Sequence, residues 1–213
     1  MKIKYIFAVI FLMGLSYFIL NGEKPNNIST IKNNKSNHSW NTTLLGSIPT
    51  GDCDAVDITG DTVFYSVGNY IVIADISNPA DPIKLGTMST EADIGDIKVK
   101  DNYAYVVNDS GLNIIDISDY TNIVNTGFFR LPYNKWFSNY YEIAINNNYA
   151  YVSNYWGLYI IDITDPTNLK EMSYLNHYNK DIYIRGNYAY LACGDEGLII
   201  IDITDPVNPH KIS

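Results

Sequence analysis

The chain has 213 residues, with 14 basic and 23 acidic side chains and a formal charge of −9. Its 46% apolar and 17% charged content excludes wholesale disorder, and its length suits one core or a short repeat array. The acid excess excludes sequence-independent nucleic-acid binding, which needs a basic surface, while nineteen tyrosines against seven Phe and three Trp favour β structure.

The charge is unevenly spread. Residues 1–40 hold five lysines and one acid, Glu23, for +4; residues 41–213 hold nine bases and 22 acids, for −13. Lys2 and Lys4 precede the apolar run Tyr5–Leu20, interrupted only by Gly14 and Ser16. As a helix this run would reach about 24 Å, just short of a hydrocarbon core of ~30 Å. We expect residues 1–22 to form an N-terminal apolar helix acting as a signal peptide or signal anchor. The lysines before it keep the N-terminus inside and send the rest out. No A-x-A pattern closes the run and no Cys follows it, which favours anchoring over cleavage. The expected location is therefore outside the cytoplasm, at the cell surface, with the membrane contacted through residues 5–20. Residues 23–42 are polar, rich in Asn, Ser and Lys, and read as a flexible stalk.

Residues 43–213 are one unit written four times. Asp-Ile-Ser/Thr recurs at Asp75, Asp116, Asp162 and Asp202, at intervals of 41, 46 and 40 residues. A period near 40 is the mark of a repeat architecture. The units run over about residues 52–88, 93–131, 140–175 and 181–213. Each opens with a short alternating strand: Ala55–Ile58, Asp96–Val99, Glu142–Ile145 and Asp181–Ile184. A tyrosine strand follows, as in Asn187-Tyr-Ala-Tyr-Leu, then a Gly-containing turn and a third, most apolar strand, as in Leu198–Ile203. A Ser/Thr-Asx-Pro turn leads to a weaker fourth strand such as Ile83–Met88. Turns every eight to twelve residues leave no room for ordinary helices. Leu198-Ile-Ile-Ile-Asp-Ile is apolar on both faces, so its sheet is covered on both sides. The expected fold is all-β, a β-propeller of four four-stranded blades.

The stretch Gly186-Asn-Tyr-Ala-Tyr-Leu-Ala, continued by Gly197-Leu-Ile-Ile-Ile-Asp-Ile-Thr-Asp-Pro, resembles the LVIVD repeat of exported bacterial and archaeal propeller proteins. Residues 146–166 repeat it and Asn102–Asp119 nearly do, with Tyr120 where the other units carry Pro. The resemblance covers roughly residues 50–213. It implies a propeller at the cell surface and brings no catalytic motif.

The four recurring aspartates could suggest a carboxylate ring, but each precedes a Ser/Thr-Asx turn, where it accepts turn N–H groups as scaffold. Asp52, Asp54 and Asp57 lack the glycine and closing glutamate of a calcium loop and read as turn residues. His38, His177 and His210 have no identifiable nucleophile or metal partner, and no hydrolase, zinc or phosphate-loop motif occurs. We therefore expect no cofactor, no metal and no catalytic centre. The 46-residue interval carries an insertion, Arg130–Tyr141, crowded with Trp136, Phe137, Tyr140 and Tyr141. With Pro49–Asp54, Ser89–Gly95 and Asn176–Lys180, it would share the face around the channel mouth. These aromatics and His177 are the candidate contacts for a protein or glycan partner.

The expected function is a non-catalytic binding or structural module. Its rivals are a propeller hydrolase or lyase, with Asp96, Glu142, Asp181 and His177 converging at the mouth, and a copy of a longer repeat array. Two expectations concern closure. Thr43–Ile48 resembles a fourth strand and could pair with Leu198–Ile203 to shut the ring. Cys53 and Cys193 would then meet at that seam and could form a disulfide.

Overall fold

The computed structural model describes residues 45–48, 51–132 and 141–212, and the backbone of Ala8–Leu12 and Leu15–Ile19. The expected N-terminal helix is not supported. Ala8–Leu12 (β1) and Leu15–Ile19 (β2) pair antiparallel, from Ala8↔Ile19 to Leu12↔Leu15. The physical reason is composition, because Val, Ile, Phe and Tyr are strand formers as readily as they are apolar. No helix among the described residues is long and apolar enough to cross a membrane.

The repeats fold into four antiparallel four-stranded sheets, each in simple chain order. The first holds β3 (Val56–Thr59), β4 (Thr62–Val67), β5 (Tyr70–Asp75) and β6 (Ile83–Ser89). The second holds β7 (Ile94–Lys100), β8 (Tyr103–Asn108), β9 (Gly111–Asp116) and β10 (Val124–Arg130). The third holds β11 (Glu142–Asn146), β12 (Tyr149–Asn154), β13 (Gly157–Asp162) and β14 (Lys170–Leu175). The fourth holds β15 (Ile182–Arg185), β16 (Tyr188–Ala192), β17 (Leu198–Asp202) and a two-residue β18 (His210–Lys211). This is the β-propeller arrangement the repeats imply.

The repeat motif explains how the sheets stack. In Asn-Tyr-Ala-Tyr the alanine lies opposite a third-strand isoleucine in each case: Ala104↔Ile115, Ala150↔Ile161 and Ala189↔Ile201. A small residue facing a large one lets the neighbouring sheet come close, and all six are fully buried. Apolar clusters then fill the joins. Phe64, Ile71 and Ile73 meet Ile97, Val106 and Ile115; Val107 and Leu112 meet Val152 and Ile161; Leu158 and Ile160 meet Leu191 and Ile199.

Backbone contact sets the spacing at the outer strands. A Cβ on Gly86 would overlap the carbonyl oxygen of Tyr120, and one on Gly127 that of Pro166. Gly46 stands in the same relation to Pro79. The segment 45–48 therefore sits against the first sheet as a fourth strand sits against the sheet that follows it. In the third sheet the place belongs to Ser173, whose Oγ donates to the Pro206 carbonyl at 2.7 Å.

The inner strands β3, β7, β11 and β15 lie side by side in that order, and no comparable join links β15 to β3. The expected closing pair is not formed. The edge of β17 is taken by β18, with Ile201↔Lys211 and Asp202↔His210, and residues 45–48 pair with no strand of the described residues. Their apolar contact, through Ile48, is with the Val63–Tyr65–Val72 face of the first sheet.

Candidate functional site

The inner strands present carboxylates to one another. Asp57 Oδ2 accepts the Val99 amide N–H at 2.6 Å, and Asp96 Oδ2 accepts the Ile143 N–H at 3.0 Å. Lys98 Nζ donates to both Asp96 oxygens at 2.9 Å. Asp57 is thus a strand residue tying two sheets, not the turn residue its spacing suggested. Farther along the strands, Lys100 donates to the Asn147 carbonyl and Asn146 to the Gly186 carbonyl, also between sheets.

Glu142 opens β11 within reach of Asp96 and Asp181. Burial, then the charges of Asp96 and Asp181, push its carboxyl up to about 8, against the opposing pull of Lys98. Three of the four titratable residues expected at the mouth are therefore brought together. The fourth, His177, is not among them: its Nδ1 lies 3.8 Å from Glu196 Oε2. It lines a separate groove of about 500 Å³ with Tyr174, Asn208 and His210.

An open cavity of about 660 Å³ lies at this end of the strands, lined by Asp54, Ala92, Asp93, Ile94, Gly95, Asp109, Tyr141 and Glu142. Three of the four loops expected to share a face contribute to it; Asn176–Lys180 does not. Burial raises the Asp109 carboxyl above its ordinary value and the Asp93 charge adds to that, while a hydrogen bond from Tyr141 opposes both. The wall therefore carries four carboxyls and no base. Asp93 and Asp109 escape a sequence reading because each is an ordinary loop acid; their signal is only that both flank strands at the same end. No group of three His, Cys, Asp or Glu side chains able to hold a metal occurs among the described residues.

Tyr141 is 6% exposed and belongs to the core between the second and third sheets. It shapes the cavity floor rather than standing on display, because Gly95 leaves room for its Cβ. Trp136, Phe137 and Tyr140 lie outside the described residues. The recurring aspartates are scaffold: Asp75, Asp116, Asp162 and Asp202 accept the N–H two residues on, at 2.7, 2.8, 2.9 and 2.8 Å. Hydrogen bonds from those Ser and Thr residues hold all four carboxyls below the usual range. The disulfide that Cys53 and Cys193 could have formed is not present. Cys53 and Cys193 are both free, and they pack in different clusters, at the first sheet and between the third and fourth. With no β15–β3 join, there is no seam to bring them together.

The family model for the LVIVD repeat matches four times, over residues 50–90, 92–129, 141–176 and 178–212. Among solved structures, a protein from Lactobacillus plantarum is similar at TM-score 0.65 and 15% identity, over 80% of this chain and 57% of that one. A functionally unknown protein from Desulfotomaculum acetoxidans matches at TM-score 0.58 and 16% identity, over 82% and 58%. The computationally designed Ika4 protein matches at 0.55 and 14%, over 71% and 91%. At such identities the likeness is one of fold. The chain spans under three-fifths of the two natural proteins it resembles. No curated protein matches it.

Proposed function

The chain belongs to the LVIVD repeat family, and from that premise we propose that it is a non-catalytic binding module displayed outside the cytoplasm. The observation that carries the reading is the cavity walled by Asp54, Asp93 and Asp109, with the raised, proton-holding carboxyl of Glu142 beside them and no basic residue among its lining. Such a wall favours a cationic group, and its concave form suits one side chain of a protein partner better than a flat glycan. The lysines ahead of the apolar run support export, and the apolar character of residues 5–20, whether or not they are helical, supports a contact with the membrane.

Two measurements test this. Fluorescence anisotropy with the purified full chain and labelled oligolysine is expected to show binding that weakens with added salt and with Asp93→Asn or Asp109→Asn. A labelled neutral oligosaccharide binding in place of oligolysine, or neither binding, overturns the partner chemistry. An alkaline phosphatase reporter fused after residue 42 is expected to be active in cells, and an inactive, intact fusion overturns export.

A second reading has one observation in its favour. A carboxyl raised to about 8 beside an ionisable partner is what a general acid requires, and Glu142 beside Asp96 supplies it. In that reading the chain is a hydrolase or lyase acting at the same mouth.

A further inference from the structure

The groove beside His177 lies between the outer strand of the third sheet and the turn before β18, on residues 173–177 and 207–210. The repeat explains why it is there. Counted from the Asp-Ile-Ser/Thr motif, Pro209 stands where the second and third units carry Ile123 and Leu169. Ile123 packs into the join between the first and second sheets, and Leu169 into the next. A proline ring folds back on its own backbone and reaches less far than either, which leaves the third such join open.

The wall of the groove changes in the same way. Phe128 and Tyr174 occupy one position of the fourth strand, and both are 41% exposed. The Arg130 guanidinium lies over the Phe128 ring, 5.5 Å from its centre. Asn176 holds the position of Arg130 and is too short to cover Tyr174 in that way. The Tyr174 ring is also fixed in place. It packs on Tyr159 with ring centres 4.7 Å apart, and its hydroxyl donates to the Trp156 carbonyl. A ring already ordered loses little freedom on binding. The remaining lining holds no acid, lysine or arginine. Asn208 donates its amide N–H to Asp205, which leaves its amide oxygen as an acceptor. Asn176, His177 and His210 add uncharged donors and acceptors.

We propose that this groove is a carbohydrate subsite, which takes a neutral oligosaccharide with one sugar ring stacked on Tyr174. A pyranose offers an apolar C–H face to an aromatic ring. Its hydroxyls both donate and accept, which matches side-chain amides and imidazoles. The lining has no charge with which to hold a cation, and a chain of net charge −9 does not attract an anion. The volume of about 500 Å³ falls within the ~300–1,000 Å³ of small-ligand sites. The groove shares no residue with the acidic cavity, so the proposal is independent of the cationic partner assigned there.

Isothermal titration calorimetry of the purified full chain with chitotetraose, cellotetraose and maltotetraose tests the proposal. At least one is expected to bind, with an affinity insensitive to salt. Tyr174→Ala is expected to weaken it about tenfold or more through loss of stacking. Pro209→Leu and Asn176→Arg restore the plug and the cover found one join earlier, and each should abolish binding with an unchanged melting temperature. Phe128→Ala should leave binding intact, and saturating oligolysine should not displace the sugar. Binding by none of the three sugars, binding that survives both Pro209→Leu and Asn176→Arg, or displacement by oligolysine would each overturn the proposal.

Discussion

Asp57 and Val99 tie the first two sheets at their inner edge, by a 2.6 Å hydrogen bond from the valine amide to the carboxylate. The partner is not arbitrary. Through the strand pairings, Asp57 corresponds to Lys98 in the second sheet, and the bond goes to the residue just beyond it. Asp96 corresponds to Glu142 in the third sheet, and its bond goes to Ile143, again one beyond. An inner strand has one edge without a ladder partner, and these carboxylates satisfy its N–H groups from the sheet before.

Removing that acceptor exposes its value. Asp57→Ala is expected to lower stability by about 1.5–3 kcal/mol, the range for a hydrogen bond to a charged group. Asp57→Asn, which keeps an oxygen acceptor, should lose less. Urea denaturation of both variants checks the ordering; two variants indistinguishable from wild type would show that the tie contributes nothing.

Glu142 makes stability fall with rising pH. Its carboxyl is raised from an ordinary 4.5 to about 8, so between those values the folded chain holds a proton that the unfolded chain has released. Stability is greatest below that window and declines through it. Glu142→Gln should flatten the decline and melt above wild type beyond pH 8. Parallel melting curves at pH 5 and 9 would contradict this.

Gly127→Ala should be among the most damaging single-methyl additions in the chain. The new Cβ meets the Pro166 backbone carbonyl, which cannot rotate aside, so the second and third sheets must separate. A loss of about 2–3 kcal/mol is expected, at the upper end for overpacking. Ser173→Gly, at the equivalent place, removes only the bond to Pro206 and should lose about 1 kcal/mol. Equal losses from the two would refute the close-approach argument.

The two thiols should differ in reactivity. Cys193 is 2% exposed and burial pushes its thiol up, whereas Cys53 is partly exposed. Iodoacetamide on the native protein is expected to label Cys53 alone, and Cys193 only after denaturation. Rapid labelling of both would place Cys193 outside the join between the third and fourth sheets.

The sequence by itself determined the repeat, the strand order and the turns, because each is written within a dozen residues. Alternation sets strands, and Asp two residues before an N–H sets the turn that follows. The inner carboxylates Asp96, Glu142 and Asp181 were legible too, since they share one position in the units. What tertiary structure alone decided is which copies of a position are covered. Leu158 and Leu198 each follow the glycine at the same position of the repeat, and the sheet that packs on the third buries one while the other stands open. The same holds for Tyr141, whose place in the core depends on the second sheet approaching at Gly95, and for Asp93 and Asp109, which become one wall only when the second and third sheets stack. Local pattern encodes a face, but burial and electrostatics depend on what meets that face.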